Sequence, residues 1–191
     1  MKKLLFLIAA FALVAAACNK TSDNNNQTPT TQIYSNATYG FEFTYPVYMK
    51  FVGPTYASLQ DKIVQLQIGQ EQYPNTNFSD AAFAISATAP KDLADCLAQN
   101  PPEGSDGFKT KVTINGIDFY MTGSTGAAAG NLYESKIYRT MRGAIGDCIE
   151  LNETIHTSNI GNYPAGAVTE VDKADVQAKL DSILNTFKFT R

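Results

Sequence analysis

The chain has 191 residues, a formal net charge of −3, and charged side chains at only 17% of positions. An acidic balance of this kind lacks the basic footprint that nucleic-acid binding requires. No apolar run reaches the roughly 20 residues of a bilayer-spanning helix, and residues 33–191 are enough for one domain with a substantial core.

The chain opens on Lys2 and Lys3, followed by an unbroken apolar run from Leu4 to Ala17. Fourteen residues are too few to span a membrane but fit the h-region of a secretory signal. The ending Val14-Ala15-Ala16-Ala17-Cys18 resembles the lipobox of bacterial lipoproteins. The resemblance implies a signal peptide at 1–17, removed before Cys18, with acyl chains of the palmitate type on Cys18. The lipid bilayer is then a partner and the cell envelope the address. Asn19 stands where an Asp often marks retention at an inner membrane, so an outer membrane is favoured if the cell has two. Residues 1–17 hold two of the 15 basic residues and no acid, so the mature chain has 13 against 18, or −5.

Residues 19–32 (NKTSDNNNQTPTTQ) carry no apolar side chain except Pro29. They have nothing to bury and read, with Cys18, as a disordered linker over 18–32. The globular domain then covers 33–191. With Cys18 acylated, Cys96 and Cys148 remain as an even pair in a compartment that permits disulfides. They read either as a disulfide or as two small buried thiols. Neither lies in a CxxC and no His is near in sequence, so no metal site and no cofactor is expected.

Within the domain, Phe41, Phe43 and Tyr45 alternate with Glu42 and Thr44, a half-buried strand entered by Gly40 and stopped by Pro46. Lys62–Gly69 alternates in the same way, with Val64, Leu66 and Ile68 on one face. Residues 82–87 (AFAISA) are apolar at nearly every position, which predicts a central strand covered on both faces. The spacing of Leu93, Cys96 and Leu97 predicts a short helix over 91–99. Lys111–Ile114 and Ile117–Met121 flank Asn115-Gly116, the preferred two-residue hairpin turn. The expected pairs are Ile114 with Ile117, Val112 with Phe119, Thr113 with Asp118 and Lys111 with Tyr120. Ser124–Gly130 reads as a small-residue loop, either functional or a slack connection.

Leu132–Arg142 and Ile145–Thr157 read as two long strands joined around Gly143. In the second, Ile145, Ile149, Leu151 and Ile155 share one parity, and Cys148, Glu150, Asn152 and His156 share the other. If Cys148 joins Cys96, the short helix must cover the face opposite the Ile/Leu face. A last helix begins at Asp172, a candidate N-cap with Asp175 three residues on and Val171 and Val176 placed as a hydrophobic staple. Its stripe is Val176, Leu180, Ile183, Leu184 and Phe187.

Two stretches bracket the domain: Tyr39-Gly40-Phe41-Glu42-Phe43-Thr44-Tyr45-Pro46 and Leu180-Asp181-Ser182-Ile183-Leu184-Asn185-Thr186-Phe187-Lys188-Phe189. They resemble the opening and closing segments of PsbP-like domains and related bacterial lipoproteins. The resemblance implies an α+β fold, an antiparallel sheet with helices packed on it as an α/β/α sandwich, and a non-catalytic adaptor or binding role. The family's aromatic three residues after the Pro is usually Trp. Here Met49 stands there, and the chain has no Trp.

The single histidine, His156, is the one candidate for a general base. Glu150 and Asn152 share its strand face, with Thr154 between them, so an envelope hydrolase is the alternative reading. The chain has no GxSxG, no HExxH and no phosphate-binding glycine loop. No catalytic residue is therefore assigned. Ten tyrosines fit either a recognition surface or packing at the rim of the core. The expected function is a lipid-anchored envelope protein whose domain binds an envelope protein or a small ligand, with a purely structural surface lipoprotein as a further alternative.

Overall fold

The computed structural model describes residues 30–143 and 146–190. Cys18, the expected signal peptide and most of the expected linker lie outside these residues, as does Ile145. The fold is α+β. A seven-stranded antiparallel sheet has the order β3 (Lys50–Phe51), β4 (Asp61–Gly69), β5 (Phe78–Thr88), β9 (Asp147–Ser158), β8 (Asn131–Arg142), β7 (Ile117–Ala128) and β6 (Thr110–Ile114). A small second sheet has the order β1 (Thr31–Asn36), β2 (Phe41–Pro46) and β10 (Lys188–Phe189). Strand β1 takes in Thr31 and Gln32, two residues read above as linker.

One face of the large sheet carries the apolar core. Val64, Leu66 and Ile68 of β4, Phe83 and Ile85 of β5, and Ile149, Leu151 and Ile155 of β9 are all buried there. Helix α2 (Lys173–Leu184) and the small sheet cover this face. Phe41, Phe43 and Tyr45 all point inward, as their alternation predicts. Phe43 meets Phe83 edge-on at 5.4 Å, and Phe119 meets Phe187 at 6.0 Å. Such rings bury the largest apolar areas available, so this contact is a main source of the domain's stability.

Helix α2 starts as its sequence predicts. The Asp172 carboxylate accepts from the backbone N–H of Ala174 and Asp175. The reciprocal half of a capping box is not made, because the Asp175 carboxylate accepts instead from Tyr73 Oη at 2.7 Å and Lys179 Nζ at 2.6 Å. Val171 and Val176 are both buried in the core. Phe187 lies beyond the helix, which ends at Leu184. A turn closed by Thr186 and Phe187 N–H groups carries Phe187 into the core, and the chain then adds β10 to β2, a pairing that two residues of sequence could not signal.

The second face of the large sheet is covered by α1 (Leu93–Ala98) and by residues 52–60, which have no regular structure. Helix α1 is shorter than the 91–99 expected. Asp92 caps it by accepting from Asp95 N–H, and Asn100 with φ +36 before Pro101 ends it. The hairpin has the predicted register throughout: Ile114 with Ile117, Thr113 with Asp118, Val112 with Phe119 and Lys111 with Tyr120. Asn115 and Gly116 take φ of +51° and +78°, as the turn requires. The expected loop at Ser124–Gly130 is not a loop. Strand β7 runs to Ala128, and only Ala129 and Gly130 turn.

One carboxyl lies within the apolar face. Glu153 is 1% exposed. Its Oε2 accepts from Gln177 Nε2 at 2.7 Å and from Tyr138 Oη at 3.4 Å, whereas Oε1 has no partner. Burial, with Asp181 of α2 alongside, pushes its pKa up to about 8, against smaller opposing effects of Gln177 and Lys136. Glu153 is therefore protonated in the folded protein at neutral pH. Because the folded pKa lies above the unfolded one, stability falls as pH rises from about 4.5 to about 8. Glu153→Gln is expected to raise the melting temperature relative to the parent by more at pH 9 than at pH 5. An offset that does not change with pH would contradict this account.

Candidate functional site

The second face of the large sheet is buried and polar. Gln65, Ser86, Thr122, Arg139, Glu150, Asn152 and Thr154 are all buried. Buried polar groups need partners, and Gln65, Ser86 and Asn152 find theirs in the irregular segment that lies over them. Gln65 Oε1 accepts from the N–H of Thr55 and Tyr56, and Asn152 Nδ2 donates to Tyr56 O at 2.7 Å. Ser86 Oγ accepts from Leu59 N–H. A loop with no ladder of its own is thus satisfied by the sheet's side chains.

At the centre of this face, Arg139 of β8 and Glu150 of β9 form a fully buried ion pair. Nε and Nη2 of Arg139 donate to Oε2 of Glu150 at 2.9 and 2.8 Å, and both side chains are 0% exposed. Arg139 also donates to the carbonyls of Cys96, Gln99 and Asn100, and its guanidinium lies 4.2 Å from the Phe108 ring centroid. Glu150 accepts from Ser58 N–H, Ser58 Oγ and Ser86 Oγ. Cys96 and Cys148 are joined by a disulfide, Cα–Cα 5.6 Å, which ties α1 to β9 beside this pair. The closure spans 52 residues of sequence, worth about 4 kcal/mol on the chain-entropy account.

Glu150 is therefore committed to Arg139, and Asn152 to the Tyr56 carbonyl. Neither shares a site with His156, so the trio considered from sequence is not assembled. His156 instead meets two residues from other strands. Its Nδ1 lies 2.8 Å from Asp80 Oδ2, on β5, and its Nε2 lies 3.0 Å from Asn131 Oδ1. Tyr133 stacks on the imidazole at 4.4 Å, and Tyr56 Oη donates to Asp80 Oδ1. Both ring nitrogens are engaged, and among the described residues no Ser, Thr or Cys side chain bonds to either. The arrangement orients an imidazole but holds no nucleophile against it. Sequence reasoning named Glu150 and His156 and missed Arg139, Asp80 and Tyr56. The available signal was Arg139 itself, a charge on the same strand parity as Tyr133, Ser135 and Ile137.

A different feature is open to solvent. Strand β6 covers β7 only from Ile117 to Met121. From Thr122 to Ala128, β7 pairs with β8 and is a free sheet edge. Ile114 and Ile117 form the hydrogen-bonded pair that closes a two-residue hairpin. By the antiparallel alternation, the N–H and C=O groups of Gly123, Thr125 and Ala127 then point outward. All three residues are exposed. Exposed edges are ordinarily guarded by charge, proline or a bulge. The segment 122–128 has no charge and no proline, and its register with β8 is regular. Recesses flank it on both sides. One of about 320 Å³ reaches Lys136 and Gln177 on the α2 side. One of about 510 Å³ lies between Tyr133 and the Glu103–Gly104 loop. Most of the other tyrosines pack at the rim of the core: Tyr34, Tyr39 and Tyr73 do so, and Tyr138 is buried.

Arg139→Ala would leave Glu150 charged and buried without its counter-ion. A loss of about 3–5 kcal/mol is expected in denaturant unfolding, and much of it should return in Arg139→Met/Glu150→Gln. A cost below about 1 kcal/mol for the single variant would show that the pair does not hold this face together.

No family description and no curated protein sequence matches the chain. Solved structures do. LpqN of Mycobacterium tuberculosis, described as involved in cell envelope biogenesis, aligns with a TM-score of 0.51 at 13% identity over 84% of this chain and 91% of its own. The cyanobacterial PsbP of Synechocystis aligns at 0.47 and 14% identity, over 88% of this chain and 97% of its own. A Bacteroides thetaiotaomicron protein aligns at 0.48 and 14%, and this chain spans half of its length. At these identities the likeness is one of fold: the chain has an α+β architecture similar to that of LpqN.

Proposed function

We propose that the protein is a lipid-anchored cell-envelope protein whose domain is a non-catalytic binding module, and that it binds an extended segment of another envelope protein along the free edge of β7. The observation that carries the reading is that edge: outward backbone donors and acceptors at Gly123, Thr125 and Ala127, with recesses on both sides. An added strand takes up the backbone groups, and its alternate side chains enter the two recesses. The small residues of β7 leave those recesses unfilled. Glu103 is exposed and makes no ion pair among the described residues. Beside the Tyr133 ring it favours a basic side chain on that side.

The anchor rests on the lipobox-like sequence ending at Cys18. The envelope role agrees with what is said of LpqN, whose fold this chain shares. The engaged state of His156, Glu150 and Asn152 supports a non-catalytic domain. Asn19 favours an outer membrane in a cell that has one.

A fluorescein-labelled Lys-Thr-Lys-Thr-Lys-Thr-Lys peptide tests the binding reading by anisotropy. The domain should bind it about tenfold more tightly than the version with proline at the central position, a gap of about 1.4 kcal/mol. Thr125→Pro, which removes an outward N–H and no ladder bond, should weaken binding similarly. Equal affinity for both peptides, or unchanged affinity in Thr125→Pro, would reduce the effect to net charge. For the anchor, Cys18→Ser should accumulate uncleaved precursor and lose acyl labelling. Normal processing of that variant would sink it.

A further inference from the structure

Among the described residues, the exposed large hydrophobic side chains are three: Ile33 at 67%, Val47 at 45% and Phe51 at 54%. Isolated exposed apolar residues are ordinary. These three, however, come from elements that meet in one place. Val47 N–H donates to Thr30 O at 3.1 Å, so Val47 sits where the described chain begins. Ile33 is three residues further on, in β1. Phe51, in β3, packs against Tyr34 of β1 at 5.9 Å and Tyr45 of β2 at 5.4 Å. Val47 and Phe51 therefore lie by the entry of the chain, whereas Ile33, paired with Thr44, is on the opposite face of the small sheet from the Tyr34 and Tyr45 rings that Phe51 touches.

The length of chain before that entry fixes what can reach it. From Cys18 to Thr30 there are twelve residue steps. Even fully extended, twelve residues reach no more than about 40 Å. A lipid on Cys18 thus keeps the entry within that distance of the bilayer, and that end of the small sheet meets the surface more often than any other. Half-buried Tyr34 flanks Phe51, and tyrosine is a residue favoured at the membrane–water boundary. Tyr45 Oη donates to Gln32 Oε1 at 2.7 Å, which keeps the polar end of that ring satisfied beside Phe51.

We infer that Val47 and Phe51 insert into the headgroup–acyl boundary of the membrane that carries the Cys18 lipid, fixing the orientation of the domain on it. The inference rests on the anchor proposed above. It adds a second point of contact to a lipid that would otherwise act as a swivel.

The chain has no tryptophan, so a single substitution installs a unique reporter. The mature lipidated protein carrying Phe51→Trp, and separately Tyr120→Trp on β7, is reconstituted into phosphatidylethanolamine–phosphatidylglycerol vesicles with brominated acyl chains. The Phe51→Trp emission is expected to shift to the blue and to be quenched by the bromine, and that of Tyr120→Trp to remain as in solution. Val47→Trp, at a second exposed position, should repeat the Phe51→Trp result. Protein that floats with the vesicles but shows no quenching in either Phe51→Trp or Val47→Trp overturns the inference alone. Protein that does not float overturns the anchor and the inference with it. Quenching equal at Tyr120→Trp would mean that the domain lies on the membrane without a preferred face, and overturns the inference as well.

Discussion

The buried pair between Arg139 and Glu150 is the constraint on which the second half of the fold depends. The other face of the sheet is closed by aromatic and aliphatic packing under α2, which needs no charge. The Arg139 face is closed by a six-residue helix and an irregular segment, whose apolar contribution is a small cluster of Leu59, Cys96 and Cys148 with Leu97 and Met141 against it. Arg139 takes three carbonyls at the end of α1, and Glu150 takes the backbone and hydroxyl of Ser58. One ion pair thus holds both covering segments. A charge pair withdrawn from water is worth little unless its remaining hydrogen-bonding capacity is filled. Here the covering backbone fills it, which is why pair and cover require one another.

This explains how the domain is unequal in what its sequence discloses. The alternation of Phe41, Phe43 and Tyr45, the Asn115-Gly116 turn and the Asp172 cap are local signals, and the fold keeps each one. The parity of Cys148 also foretold that both faces are covered. Glu150 and His156 fell on the same parity and so looked like neighbours. Their true partners come from adjacent strands, Arg139 across β8 and Asp80 across β5. Cross-strand pairing is a long-range fact, set by register that no single segment encodes. The small-residue stretch at 124–128 misled for a related reason. Its Gly and Ala residues are depleted in strands, only Thr125 favours one, and the ladder with β8 decides the conformation.

The same composition leaves the outward backbone of that stretch uncovered by its own side chains. Large or charged side chains would have screened the outward N–H and C=O groups, and the hairpin strand β6 stops before it reaches them. The covering loop from Pro101 to Lys109 borders the edge without bonding to it: no backbone hydrogen bond joins that loop to residues 122–128. The buried network and the open edge lie on neighbouring strands, so a rigid β8 presents a receptive β7.

Strand order has one further consequence. Phe51 lies on β3 and the free edge on β7, and five inter-strand steps separate them. At about 4.8 Å per step, that is about 24 Å of protein. The electric field of anionic headgroups decays within about 8–10 Å at physiological salt. If the β3 side rests on the bilayer, the recess beside Glu103 works outside that field. A cationic segment arriving there chooses between solvent and Glu103, and the lipid does not compete for it.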